Sequence, residues 1–115
     1  MTTPPDDGKP APAIDLAHLE RQTMGDVALQ RRVLELFAEQ AAEQVTRLES
    51  ASADERRRII HTLVGAARGI GAFAAADAAA AIRRFEGPTL NGLDALKKAI
   101  AAARDEIACI LAARS

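Results

Sequence analysis

Between Arg56 and Ala72 the chain carries a helical apolar period broken by three glycines, Gly65, Gly69 and Gly71. A helix wound for stability alone avoids glycine, which costs roughly 1 kcal/mol against alanine in a helix interior. At about 100° per residue, Ile59, Ile60, Leu63, Ala66, Ala67 and Ile70 fall within an arc of roughly 120°. That arc is the stripe a helix buries. His61 lies about 160° from its centre, so it is expected to face outward. Gly65 and Gly69 follow His61 in steps of four along the same outer face.

Helical side chains lean back toward the N-terminus, so a side chain at position 65 would cover the imidazole at 61. Glycine there leaves the ring bare to an approaching molecule. A lone outward histidine is usually a solvated residue, and a glycine-rich face is usually a close helix contact. Here the glycines point away from the expected core, and the combination marks a site.

The run His61-Thr62-Leu63-Val64-Gly65-Ala66-Ala67-Arg68-Gly69-Ile70-Gly71-Ala72 resembles the signature of histidine-containing phosphotransfer (HPt) domains. His61, Leu63, Gly65, Ala66, Ala67, Ile70, Gly71 and Ala72 match it. Val64 departs from it, since the family usually has lysine there. The resemblance extends to Ile14-Asp15-Leu16 and Gly25-Asp26 upstream and to Phe85-Glu86 downstream, covering about residues 14 to 113. It implies a four-helix fold and phosphoryl exchange with an aspartate on a receiver domain. The receiver belongs to a response regulator or a hybrid histidine kinase and brings its own Mg²⁺. No cofactor is then expected on this chain.

The remaining features agree with a small helical domain. A chain of 115 residues has room for one domain. It is rich in alanine and only 3% aromatic, which favours close-packed helices over sheets. A net charge of −1 gives no pull toward nucleic acid or anionic lipid. No apolar run approaches the roughly 18 residues of a membrane span. A cytoplasmic monomer is expected. Residues 1–12 hold four of the five prolines and read as a disordered leader without a signal-peptide core. The domain proper is expected over residues 13–115. The single cysteine, Cys109, cannot pair internally and reads as a small packing residue.

Five helices are expected, arranged as an all-α, antiparallel four-helix bundle (up-down-up-down) with the short first helix across one end. The first spans Ile14 to Met24, with Asp15 as a cap and His18 as a surface or cap residue. The second starts after the candidate N-cap Asp26 and runs to about Ser50. Leu29, Val33, Leu36, Phe37, Ala41 and Leu48 are expected inward. Arg31, Arg32, Glu35, Glu39, Glu43 and Arg47 are expected outward. Gln40 and Gln44 are candidates to border the histidine face, though the sequence does not place them. Ser52 and Glu55 form a capping box that starts the histidine helix near Ala53. The fourth helix covers residues 73 to 86, with Phe73, Ala78, Ala81, Ile82 and Phe85 making apolar contacts. Arg83 and Arg84 oppose its dipole, and Gly87-Pro88 stops it. Asn91 with Asp94 is the candidate cap of the last helix. Its seam is Leu93, Leu96, Ile100, Ala103, Ile107 and Ile110.

Neutral imidazole is a good nucleophile near neutral pH and can form and pass on a phosphoramidate. A relay station needs that ring exposed to both donor and acceptor. The sequence has no P-loop and no kinase motif set, so a phosphocarrier and not an enzyme is expected. No His, Cys or carboxylate set has metal-ligand spacing, so no metal is expected. His61 is the candidate phosphoacceptor. Gly65, Arg68, Arg57, Arg58, Val64 and Gly69 are the candidate phosphate- or partner-binding positions. Arg57 and Arg68 flank the exposed face, Arg58 lies close to its centre, and Arg68 is expected to compensate for the absent lysine. Two other readings remain open. One is an interaction module that docks a receiver or kinase without carrying phosphate. The other is a dimerising kinase fragment, distinguishable by solution mass.

Overall fold

Short-range capping decides where each helix begins. In this structure, a computed structural model that describes residues 12–84 and 92–114, three N-caps stand where the sequence puts them. The Asp15 carboxylate accepts the His18 N–H at 3.1 Å and opens α1, Leu16–Gln22. Asp26 accepts the Leu29 N–H at 3.0 Å and opens α2, Val27–Leu48. Ser52 and Glu55 form a complete capping box at the start of α3, Ala53–Ile70. Between α1 and α2 the chain turns through Met24 and Gly25, both at positive φ. α4, Phe73–Arg84, and α5, Leu93–Ala113, complete the described elements. Among the described residues there is no strand. The expected leader, the Phe85-Glu86 end of the fourth helix, its Gly87-Pro88 stop and the Asn91 cap lie outside the described residues. The residue that caps α5 is Gly92, in the left-handed region and without a side-chain bond, so Asp94 does not serve as the cap.

α2 packs against α3 and α5, and α4 packs against the same two helices. One apolar cluster fills the space between them, with Ile14, Leu19, Leu34, Leu48, Leu96 and Ile107 its largest fully buried side chains. α3 lies most extensively on α4. The reason is size: α4 presents Ala75, Ala76, Ala79 and Ala80, all buried, so the two backbones approach closely. Phe73 is not part of that face. It is 40% exposed and meets the His18 ring edge-to-face at 5.0 Å.

α2 is rotated from expectation. On α2 the buried seam is Gln30, Leu34, Phe37, Ala41, Val45 and Leu48, while Leu29 is 43% exposed and Val33 and Leu36 are half-buried. A polar network causes the shift. The Gln30 amide donates to the Thr23 hydroxyl at 3.0 Å and accepts from Arg114 at 2.7 Å, tying the α1–α2 turn to the end of α5. On α5 the expected seam is in place: Leu96, Ile100, Ala103 and Ile107 are buried, with Leu93 and Ile110 packed partly against them. Cys109 is exposed and therefore not a packing residue.

The segment before α1 is held through its backbone N–H groups. Glu106 of α5 accepts the Ala13 and Ile14 N–H groups at 3.1 and 2.6 Å. The Asp15 N–H donates to the Gly71 carbonyl at 2.9 Å. α1 thus rests on the C-terminal end of the histidine helix.

Candidate functional site

α3 is pinned at both ends, and this fixes which way His61 points. At the start, the Ser52 hydroxyl accepts the Glu55 N–H at 3.2 Å while the Glu55 carboxylate reaches back to the Ser52 N–H at 3.4 Å. Such a cap contributes about 1 kcal/mol. At the end, Gly71 adopts φ 85°. Its N–H donates to Arg68 O at 3.2 Å, and the Ala72 N–H donates to Ala67 O at 2.8 Å. That pair of bonds is the Schellman closure, which requires a left-handed residue.

Between the pins the buried stripe is Ile59, Ile60, Leu63, Val64, Ala67 and Ile70. Ala66 is exposed. Relative to the expected stripe, the face is turned by about 30°, taking in Val64 and releasing Ala66. Val64 is 5% exposed, so its expected place among the phosphate- or partner-contacting residues is corrected: it belongs to the core. His61, Thr62, Gly65, Arg68 and Gly69 are all exposed. The His61 side chain makes no hydrogen bond or ion pair with any described residue. A Cβ built at Gly65 or at Gly69 meets nothing within 4 Å. Neither glycine is therefore required by packing, and both leave open space beside the imidazole face.

The three arginines near His61 differ in their freedom. Arg57 is paired with Asp54 one turn back on its own helix. Arg68 and Arg58 form no ion pair among the described residues. Arg58, expected near the centre of the exposed face, is exposed, and its side chain also reaches the edge toward α2. There it borders a cleft of about 210 Å³ together with Gln44, Arg47, Glu55, Ile59 and Thr62. A narrower crevice follows along the same helix pair, lined in part by Gln40, Gln44, Thr62 and Ala66. Gln40 and Gln44 thus do border the histidine helix. The Gln44 Oε1 is buried without a hydrogen-bond partner. Arg47 and Thr62 were not singled out by the sequence. Their only signal was their position at the wet edges of two helices whose pairing was not fixed.

Among the described residues, no group of three His, Cys, Asp or Glu side chains is arranged to hold a metal ion. No helix is long and apolar enough to cross a membrane. His18 stands apart from His61, packed on Phe73.

No curated protein and no solved structure matches the chain. A family model described as Hpt domain matches residues 32–112, which takes in α3, the whole Gly65–Gly71 run and the cleft against α2. An exposed, uncovered histidine on the third helix of an all-helical chain and this match over most of its length agree: the chain belongs to the Hpt domain family.

Proposed function

We propose that this protein is a phosphorelay intermediate. His61 accepts a phosphoryl group from the aspartyl phosphate of a receiver domain, in a hybrid kinase or a response regulator, and passes it to another receiver. The unprotonated ring nitrogen attacks phosphorus in line. The N–P bond forms as the bond from phosphorus to the carboxylate oxygen breaks, and the carboxylate leaves with the electron pair. The other ring nitrogen keeps its proton. The next receiver's carboxylate reverses the exchange. The chain acts as a phosphocarrier, and the Mg²⁺ is supplied by the receiver. Its helices form an antiparallel four-helix bundle with α1 across one end, which the packing of α2 and α4 each on α3 and α5 supports. A cytoplasmic monomer serves this role.

The observation that carries the reading is the bare imidazole: His61 is exposed, and nothing stands within 4 Å of the missing Cβ at Gly65. Arg68 adds to it. It is exposed and forms no ion pair among the described residues, and its side chain leans back toward His61, where it can meet the phosphoryl oxygens or the acidic pocket of a receiver. The test is incubation with a phosphorylated receiver. Acid-labile, base-stable phosphate on His61, absent from His61→Gln, is the expected result. Receiver binding without any such label would overturn the reading in favour of a docking module that carries no phosphate. Val64, at the position where the family has lysine, is the observation that favours that second reading.

A further inference from the structure

We propose that the groove between α1, the start of α4 and the late part of α5 docks a segment of a partner protein in which an apolar side chain is flanked by arginine or lysine. The inference goes beyond the phosphocarrier reading and does not depend on it. It starts from two exposed apolar side chains. Leu16 is 46% exposed and Phe73 is 40% exposed, and both line a groove of about 720 Å³. Ile110 of α5 and the buried Ile14 continue its apolar lining. Single exposed apolar residues are ordinary, whereas several that converge on one concave surface mark a contact site. Gly71, the C-cap of α3, also lines the groove. It lies beyond His61 by roughly 15 Å along the helix axis, so the groove is a surface separate from the imidazole face.

Its charge selects the partner. Asp15, Asp77 and Glu106 line the groove, and no lysine, arginine or histidine joins them on the lining. None of the three is paired with a cation among the described residues. Asp15 caps α1, and Glu106 accepts the Ala13 and Ile14 N–H groups. Those donors are neutral, so the negative charge of both carboxylates remains. Asp77 is exposed and stands one turn beyond Phe73 on the same face of α4. The phenyl ring and the carboxylate together offer an apolar contact beside an anionic one, which suits a leucine or aromatic residue next to an arginine. The same charge repels phosphate backbones and anionic lipid. The bonds of Glu106 and of the Gly71 carbonyl to the segment before α1 fix the groove before a partner arrives, so less freedom is lost on docking.

The test selects phage-displayed peptides on the full chain, then titrates a synthetic copy of the enriched sequence. Enriched sequences are expected to place a leucine or aromatic residue beside arginine or lysine, and binding is expected to weaken as salt rises. Phe73→Ala weakens the peptide about tenfold, as removal of an interface anchor does. Asp77→Lys, at an exposed position, weakens it about fivefold. Glu43→Lys, on the exposed side of α2, leaves binding unchanged. Enrichment of no sequence, or of sequences without a basic residue, would overturn the proposal, as would a peptide that binds both groove variants as it binds the wild type. A chain that sediments as a dimer and becomes monomeric on Phe73→Ala would give the groove to a second copy. Peptides that bind only after Lys9→Glu, which reverses the one lysine before Pro12, would give it to the chain's own N-terminal residues. Either result ends the proposal, and neither bears on phosphate labelling of His61.

Discussion

The carbonyl oxygen of Asp15 lies 2.6 Å from the place a Cβ would occupy on Gly71, and the Asp15 N–H donates to the Gly71 carbonyl at 2.9 Å. The two backbones touch because residue 71 has no side chain. Gly71→Ala must therefore strain a left-handed backbone and push α1 away. A loss of about 3 kcal/mol is expected from those two effects together. Gly69→Ala, in open space on the same helix, is expected to gain up to about 1 kcal/mol. Urea unfolding of the two variants measures the contrast, and equal midpoints would contradict it.

Gly65 separates folding from access. Gly65→Gln places a flexible side chain where nothing now stands, so the melting temperature is expected to hold or rise. Phosphate labelling of His61 is expected to be lost, because the new side chain leans back over the ring. Undiminished labelling would refute the open-face argument.

Val64 tests the rotated stripe. Val64→Ala removes buried methyl groups and is expected to cost about 2 kcal/mol of stability. The transfer rate, measured where both proteins are fully folded, is expected to stay the same. A slowed transfer with unchanged stability would return Val64 to the transfer face.

The Lys97 ammonium lies 2.6 Å from the Glu49 carboxylate and joins α5 to the end of α2. That hydrogen bond and the charge of Glu49 raise the lysine above its ordinary value of 10.5. A raised folded-state pKa gives stability that is fully present below the unfolded value and is lost as pH rises through the folded one. Lys97→Met is therefore expected to lower stability slightly and evenly through neutral pH, since the pair is exposed. The gap from wild type is expected to close in strongly alkaline solution. Thermal melts from neutral pH upward check this, and a widening gap would be the contrary result.

Helix starts and the histidine's outward direction were legible because both depend on neighbours in sequence. Asp15, Asp26 and Ser52 cap through bonds to residues three positions away. The rotation of α2 was not legible. Leu29 and Leu36 look as apolar as Leu34, and only the long-range bonds of Gln30 to Thr23 and Arg114 turn a polar residue inward. The same is true of Val64 and Ala66, which sit on opposite borders of one stripe. Which of them is covered depends on how closely the alanines of α4 let that helix approach. The cleft of Arg47 and Arg58 was hidden for a related reason, since it exists only once two helices are paired in register.

The histidine helix is clamped by its terminal turns and by an inward stripe, and none of these uses the residues that face solvent between Arg57 and Gly69. The outward positions can therefore change identity without altering the direction of the imidazole. On the phosphocarrier reading, a lineage can retune which receivers it meets by editing that strip, while the scaffold underneath stays as it was.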